Sequence, residues 1–232
     1  MKKVLTVVLL VAAFCSCKKS SNSTSTPTNT DTLATKSFEQ LTPGAYWKFA
    51  FRTGTDSLHA TADTVKLTVL NADSIVNVNG INLSYKVISD STKSYNFLYR
   101  SVADSEYRRG LFTKLIGYGI PDIEEKYFIE SSSVGTSWSM PIPFTGSLAF
   151  LKGVTNNYQL MSLNDSLAVA GKTYQHVAHV HLDILMNATT VIGVGDFYYA
   201  RGYGSIKYAL NVSFSGFISF YQSQVLLDSQ IK

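Results

Sequence analysis

The stretch Ser74–Val87, SIVNVNGINLSYKV, decides the fold class because its turn chemistry and its hydrophobic pattern agree. Asn79-Gly80 is the pair that a two-residue type I′ hairpin turn prefers, since both central positions need a positive φ. With the turn placed there, apolar residues meet across the two strands: Val78 faces Ile81, and Val76 faces Leu83. The stretch therefore predicts an antiparallel β-hairpin with one apolar face.

Period-two alternation, rich in Tyr, Phe, Val, Ile and Thr, continues through the rest of the chain. Only Ser37–Leu41 suggests a helix, and a short one. We predict one all-β domain over residues 38–232, built as a single large curved antiparallel sheet, as a half-barrel or as a sandwich. The further candidate strands are AYWKFAF, TVKLTVL, YNFLYR, EYRRGLFTKL, KYFIES, YQLMSL, TYQHVAHVHLDI, DFYYARG, GSIKYALNV and GFISFYQSQVLL.

The pattern Gly-x-x-Trp occurs twice, as GAYW at Gly44 and as GTSW at Gly135. Each copy opens a strand-rich stretch. One shared glycine and one shared tryptophan suggest a two-part layout without establishing a repeat.

The first sixteen residues have the order of an export signal. Lys2 and Lys3 precede a largely apolar run, Val4–Phe14, and small residues follow it. Eleven residues at about 1.5 Å each fall short of the ~30 Å hydrocarbon core, so the run is not expected to anchor the protein as a membrane-spanning helix. Residues 1–16 are therefore predicted to be a signal peptide.

FCSC at Phe14–Cys17 resembles the lipobox of bacterial lipoproteins. The resemblance implies that Cys17 takes a diacylglyceryl group and becomes the first mature residue, while Cys15 is discarded. Several acyl chains anchor firmly, because each buried CH₂ contributes ~0.8 kcal/mol. The alternative is an ordinary signal peptide with two incidental cysteines, but the stretch lacks an A-x-A-like site after Ala13. With both thiols used in processing, the exported domain depends on its core and not on disulfides.

Residues 17–37 are predicted to be the lipidated cysteine followed by a disordered tether. Ser20–Thr32 contains only Ser, Thr, Asn, Pro and Asp, which cannot bury enough apolar area to offset the entropy of ordering. Lys18 and Lys19 follow the cysteine. In outer-membrane bacteria, lipoproteins exported to the cell surface often carry acidic residues at these positions. The expected location is therefore the outer membrane, with the periplasmic side preferred over the cell surface.

The charge balance excludes one class of partner. The net charge is +4, and it falls to about +2 when Lys2 and Lys3 leave with the signal. This excess is too small to indicate a nucleic-acid-binding protein.

GKTYQHVAHVHLDI at Gly171–Ile184 and FYYARGYGSIKYAL at Phe197–Leu210 resemble the closing hairpins of many uncharacterised Bacteroidota lipoproteins. LTPGAYWKF at Leu41–Phe49 is similar to the opening strand of those proteins. The resemblance covers about a third of the chain and implies a β-rich domain like the half-barrel of lipoprotein carriers, with no known activity. Independently, two glycines two apart indicate a bend, a bulge or close packing of an aromatic ring. The matching residues are Gly171, Tyr174, Val177, Tyr198, Tyr199, Ala200, Gly202, Gly204, Ile206 and Lys207.

One strand carries residues able to bind a metal. His179, His181 and Asp183 share a strand face, and two imidazoles with a carboxylate suit Zn²⁺. Residues two apart lie nearly 7 Å apart, however, which is wide for joint ligation. A polar solvent-facing side explains the alternation equally well, so no metal or other cofactor is predicted.

A second candidate is the carboxylate group Asp122, Glu124 and Glu125, since paired carboxylates hydrolyse glycosides at the right separation. The competing interpretation is a charged loop that leads into a strand at Lys126. The signatures G-x-S-x-G and H-E-x-x-H are absent from the sequence. We therefore predict no enzyme and no catalytic residue.

Two further patterns have alternative interpretations. Arg108 and Arg109 beside Tyr107 suit an anionic ligand or a solvated, charged strand edge. Asp-Ser and Asp-Thr before an apolar residue resemble an O-glycosylation signal of exported Bacteroidota proteins, or else begin turns and strands. The Asp positions are 31, 56, 63, 73 and 165.

Taken together, these features predict a lipid-anchored cell-envelope protein whose molecular function lies in binding or structural association. Its expected partners are the membrane, through the lipid on Cys17, and an unidentified ligand or protein. The alternatives are a carrier of a hydrophobic ligand and, less favoured, a carbohydrate-active enzyme. An open apolar cavity would indicate the carrier, and converging carboxylates in a cleft would indicate the enzyme.

Overall fold

The computed structural model describes residues 33–92, 96–103, 105–111, 123–144, 146–214 and 218–231 of the 232-residue chain. The predicted signal peptide, Cys17 and most of the predicted tether lie outside these residues.

Twelve strands and one short 3₁₀ helix, η1, make up the regular structure of the described residues. No helix among them is long and apolar enough to cross a bilayer. The elements are β1 (Tyr46–Gly54), β2 (Thr61–Val78), β3 (Ile81–Asp90), β4 (Asn96–Val102), β5 (Glu106–Leu111), β6 (Ile123–Ile129), β7 (Ser137–Pro141), η1 (Gly146–Leu151), β8 (Val154–Val169), β9 (Lys172–Met186), β10 (Thr190–Ala200), β11 (Gly204–Phe214) and β12 (Ile218–Gln230).

All twelve strands form one antiparallel sheet in the order β6-β5-β4-β3-β2-β1-β12-β11-β10-β9-β8-β7. The sheet curls until it is nearly closed into a barrel-like shape. This confirms the predicted fold class, and a single sheet replaces the sandwich that the sequence left open. The edge strands β6 and β7 approach each other, and the Trp138 indole N–H donates to the Lys126 carbonyl across this seam at 2.9 Å.

The hairpin predicted at Asn79-Gly80 forms in the predicted register. Both turn residues have positive φ, 51° for Asn79 and 84° for Gly80. Val76 pairs with Leu83, and Val78 pairs with Ile81. Val78 is buried in a small core with Tyr85, Val87 and Leu98, so turn chemistry and side-chain burial select the same register.

The twelve described strands fall into two successive halves of six, and each half opens on a Gly-x-x-Trp motif. Gly44 and Gly135 both have positive φ, 80° and 90°. The two motifs bond to the next strand in the same way: the Gly44 amide donates to Val69 O and the Gly135 amide to Leu160 O. The two-part layout suggested by the sequence is therefore present in the hydrogen bonding.

The correspondence between the halves extends into the next hairpin. Asp73-Ser74-Ile75 on β2 precedes the Asn79-Gly80 turn, and Asp165-Ser166-Leu167 on β8 precedes an Ala170-Gly171 turn. All four turn residues have positive φ. Both strands change register just before the Asp-Ser pair. This second similarity, between the two Asp-Ser hairpins, was not predicted from the sequence.

Three details differ from the strand predictions. β7 was not predicted, and β6 begins at Ile123, so Glu124 and Glu125 lie in a strand and not in a loop. Ser37–Leu41 forms no helix. These segments are short, and short segments carry too few alternations for a reliable pattern.

The concave face of the sheet holds the main core. Inward residues from both halves meet there, and aromatic rings fill much of the space: Phe128 stacks on Tyr107 at 5.4 Å and on Tyr199 at 5.0 Å between ring centroids. A second core near the beginning of β1 contains Trp47, Phe49 and Ile206. The two halves therefore share one interior.

The seam between β6 and β7 gives a first prediction. Trp138→Phe keeps an aromatic ring but removes the donor to Lys126 O, and we expect the free energy of unfolding to fall by about 1–3 kcal/mol in urea titrations. Ser139→Ala, on the exposed face of the same strand, is the control and should change stability by less than about 0.5 kcal/mol. Equal effects of both substitutions would contradict a bridged seam.

Candidate functional site

Residues Ser37–Leu41, here called the N-terminal plug, precede β1 and pack into one end of the curved sheet, beside the β10–β11 turn. Phe38 is 0% exposed and meets Phe128 edge-on, with ring centroids 5.0 Å apart. The Ser37 carbonyl accepts a hydrogen bond of 2.9 Å from the Gly202 amide in the β10–β11 turn. The plug thus contacts both halves of the sheet.

The Tyr107 hydroxyl on β5 holds the plug from the first half. It accepts a hydrogen bond from the Phe38 amide at 3.1 Å and lies 2.6 Å from Ser37 Oγ. It donates to Glu130 Oε2 at 2.8 Å. Burial raises the pKa of Tyr107, so the hydroxyl stays neutral and able to donate.

Arg201 holds the plug from the second half. Its guanidinium lies 4.5 Å above the centre of the Phe38 ring, donates to Lys36 O at 2.9 Å, and forms an ion pair with Glu130. Both side chains of the ion pair are mostly buried, 16% and 17% exposed. One ion pair therefore links the tyrosine and arginine contacts to the plug.

The two glycines singled out in the sequence make room for this segment. Gly202 has φ 76°, and a Cβ there would lie 3.0 Å from Leu33 Cδ2. At Gly204, φ 78°, a Cβ would lie 3.5 Å from both Phe38 O and the Trp47 indole nitrogen. The predicted close approach to an aromatic ring is confirmed, and the N-terminal segment packs there as well.

Behind the plug, the interior holds a buried ion pair. Arg109 on β5 binds Glu125 on β6, and Glu125 is 1% exposed. The same carboxylate accepts hydrogen bonds from Tyr158 and Asn156 of β8. Because β8 lies near the opposite edge of the sheet, this cluster joins strands that the ladder does not connect.

The charge states of the pair follow from their mutual attraction. Burial alone would raise the pKa of Glu125, but Arg109 and the hydroxyl of Tyr158 lower it below its ordinary value. Burial would lower the pKa of Arg109, and the Glu125 charge raises it instead. The pair is therefore ionised at neutral pH.

Glu39 of the plug is a half-buried residue whose carboxyl points inward. Its Oε2 is buried without a hydrogen-bond partner among the described residues, and so is the hydroxyl of Tyr127. Burial raises the pKa of Glu39 to about 7, although the Tyr127 hydroxyl and the Arg109 charge act to lower it. Glu39 thus changes charge near neutral pH while Glu125 remains ionised.

In the candidate carboxylate group, Glu124 and Glu125 do not converge. Glu124 and Glu125 are neighbours on β6 and face opposite sides of the sheet. Glu124 lies on the outer side with Arg100 and Arg108. Burial would raise the pKa of Glu124, and these two guanidinium groups lower it. Asp122 lies outside the described residues.

The interpretation of Arg108 and Arg109 as a solvated strand edge was wrong. β5 is not an edge strand, because it pairs with β4 along one edge and with β6 along the other. Arg108 binds Glu106 and Glu124 on the outer face, whereas Arg109 points inward to Glu125. The two neighbouring arginines therefore belong to separate clusters.

His179, His181 and Asp183 share the outer face of the sheet as predicted. Asp196 of β10 lies between the imidazoles, 2.7 Å from His179 Nε2 and 3.0 Å from His181 Nδ1. His181 Nε2 lies 3.3 Å from Asp183. Among the described residues no group of three such side chains is arranged to hold a metal ion. The histidines bond to carboxylates, which fits the polar-face interpretation.

An outer cleft of about 260 Å³ lies beside the β2–β3 hairpin. Its cationic groups already have partners: Lys86 binds Asp73 at 2.7 Å, and Arg100 binds Glu124. The cleft is lined by Leu41, Asp73, Ser84, Tyr85, Lys86, Arg100 and Ser101. Neither Arg109 nor Glu125 lines this cleft.

Sequence patterns missed Glu39, Glu130 and Arg201 as site residues. Each acts through partners distant in the chain, and none belongs to a recognisable motif. For the Asp-Ser pattern, the Asp56 carboxylate accepts from the amides of Leu58 and His59, as a turn-initiating aspartate does. Glycosylation there stays a prediction.

No protein-family model matches the chain, and no curated protein sequence matches it. Similar solved structures include a "putative lipoprotein" from Parabacteroides distasonis, 10% identical with a TM-score of 0.42. Another is a "putative exported protein with YmcC-like fold" from Bacteroides fragilis, 9% identical with a TM-score of 0.39. Each alignment covers 84% of this chain and 99% of the other. Similarity at this level indicates nothing about the site or its function.

The buried pair gives a second prediction. Glu125→Leu leaves the Arg109 charge without its partner and should cost about 3 kcal/mol, the low end for buried pairs because 36% of the Arg109 side chain is exposed. Arg109→Met combined with Glu125→Leu should cost less than the sum of the single changes in a double-mutant cycle. Additive losses would contradict direct coupling of the two side chains.

Glu39 gives a third prediction. Because folding raises its pKa from 4.5 to about 7, the folded state binds the proton more tightly, and stability is lost as the pH rises from about 4.5 through 7. Glu39→Gln keeps a neutral group and should remove this loss. Denaturant titrations from pH 4.5 to 8 measure the difference between the two proteins; parallel curves would contradict burial of this carboxyl.

Proposed function

We propose that this chain is a lipid-anchored cell-envelope protein, held by a lipid on Cys17 and acting by binding or structural association through its β domain. The observation that carries the proposal is the N-terminal plug. The segment that would connect the anchor to the domain is packed against the sheet, because Phe38 is fully buried there. The arrangement suits a domain whose position is set by its N-terminal connection.

The anchor itself is supported by the sequence. Lys2, Lys3 and the apolar run before FCSC place a thiol where lipoprotein processing needs one. The described domain contains no cysteine, so no folded-state role competes for Cys17. Lys18 and Lys19 favour the periplasmic side of the outer membrane.

Association is favoured over a carrier of hydrophobic ligands by the chemistry of the interior. The concave face holds the ionised Arg109–Glu125 pair and packed aromatic rings. An acyl chain laid against this pair would displace hydration without supplying a hydrogen bond, which is costly. A pocket for such a ligand is expected to be mainly apolar.

A carbohydrate-active enzyme is also less favoured. Glycoside hydrolysis needs two carboxyl groups flanking one bond. Glu124 and Glu125 face opposite sides of the sheet, and Glu125 is 1% exposed. We therefore propose no catalytic residue and no cofactor.

The fourth prediction tests the anchor. Wild-type protein expressed in an outer-membrane bacterium should partition into the detergent phase and incorporate labelled palmitate, whereas Cys17→Ser should do neither. Cys15→Ser is the matched control and should behave as wild type. Detergent partitioning of Cys17→Ser, or a mature N-terminus other than Cys17, would contradict the proposal.

The membrane side is tested separately by protease treatment of intact cells. Protection of the domain until the outer membrane is permeabilised is the expected result. Digestion in intact cells would place it on the surface and overturn the periplasmic assignment while leaving the lipid anchor standing.

A further inference from the structure

We propose that the N-terminal plug is a releasable closure: ionisation of the Glu39 carboxyl frees Ser37–Leu41 from the end of the sheet and opens the tyrosine-lined interior to solvent. The proposal concerns the described domain and holds with or without the lipid on Cys17.

The plug can dissociate from the sheet without breaking strand pairing. Ser37–Leu41 pairs with no strand among the described residues. A turn separates it from β1, in which the Ala45 amide donates to Thr42 O at 3.0 Å and Gly44 has φ 80°. Release of the plug therefore breaks side-chain and turn contacts, while the β1 ladders stay intact.

The plug is held by specific hydrogen bonds and by packing, including that of Leu41 against the second core. Ser37 and Phe38 bond to the Tyr107 hydroxyl and the Gly202 amide, and Phe38 packs between Phe128 and Arg201. Such a set can be outweighed by one unfavourable buried charge, because an ionised carboxylate without a partner is costly in a low-dielectric interior.

Glu39 supplies that charge from the middle of the plug. The charged and titratable groups facing it are Arg109 from β5, Tyr127 from β6, Tyr99 from β4 and Tyr199 from β10. The backbone of Gly204 on β11 also lies close, since a Cβ added there would lie 3.8 Å from Glu39 Cγ. Burial raises the pKa of all three tyrosines, so none of them carries a charge near neutrality.

Arg109 does not neutralise Glu39 fully, since Glu125 already binds that guanidinium. Glu39 Oε2 and the Tyr127 hydroxyl are both buried, and neither makes a hydrogen bond of normal geometry among the described residues, although the hydroxyl lies close enough to lower the pKa of Glu39. The neutral carboxyl tolerates this position better than the carboxylate does. Loss of its proton therefore favours the state in which Glu39 reaches water.

Hydrogen–deuterium exchange of the mature lipidated protein in detergent tests the closure. Peptides covering residues 33–45 should lose about tenfold in protection between pH 6 and pH 8, after correction for intrinsic exchange, given a carboxyl that shifts from about 7 when closed to 4.5 when open. Peptides from β9 and β10 should keep their protection.

Variants separate the closure from general loosening. Glu39→Gln should keep the plug protected at both pH values, and Asp73→Asn, which removes a surface carboxylate paired with Lys86, should behave as wild type. Tyr107→Phe should loosen residues 33–45 at pH 6 without changing β9 and β10. Equal protection of wild type at both pH values, or a pH response that persists in Glu39→Gln, would overturn the proposal.

Discussion

The structure depends on the contact between Glu125 and Arg109 inside the nearly closed sheet. Arg109 and Glu125 face each other in the β5–β6 ladder, and curvature of the sheet brings Tyr158 and Asn156 of β8 to the same carboxylate. A buried carboxylate must keep its donors, so the cluster holds β8 against β6. An ion pair of this kind adds little net stability compared with apolar packing, but it strongly penalises arrangements that separate the partners. The β8 donors to Glu125 therefore favour the closed sheet, and the closed sheet in turn creates the end in which the N-terminal plug sits.

The two six-stranded halves explain why closure is possible without a continuous ladder. The halves join by β1–β12 pairing on one side. On the other side, β6 and β7 meet through side chains, with the Trp138 indole bonded to Lys126 O. Its counterpart Trp47 donates to Tyr203 O at 2.5 Å, so each tryptophan bonds to the other half. The repeated Gly-x-x-Trp motif thus begins each half and also bonds it to the other half.

The sequence was sufficient for local features and insufficient for the site. The Asn79-Gly80 register and the alternation of His179 and His181 depend on neighbouring residues, so pattern analysis located them. The direction of Arg109 and the burial of Glu125 depend on how a sheet of twelve strands curves, which no local pattern encodes. Glu39 was not recognised because its partners lie on β4, β5, β6 and β10, far along the chain.

The most direct measurement of this account is a carbon-13 NMR titration of the glutamate side chains in the mature protein, with the Glu39 resonance assigned by Glu39→Gln. If the plug seats Glu39 inside the closed sheet, its carboxyl carbon titrates with a midpoint near pH 7. A midpoint near the ordinary 4.5 would show a solvent-exposed carboxyl, and the plugged interior described above would be wrong.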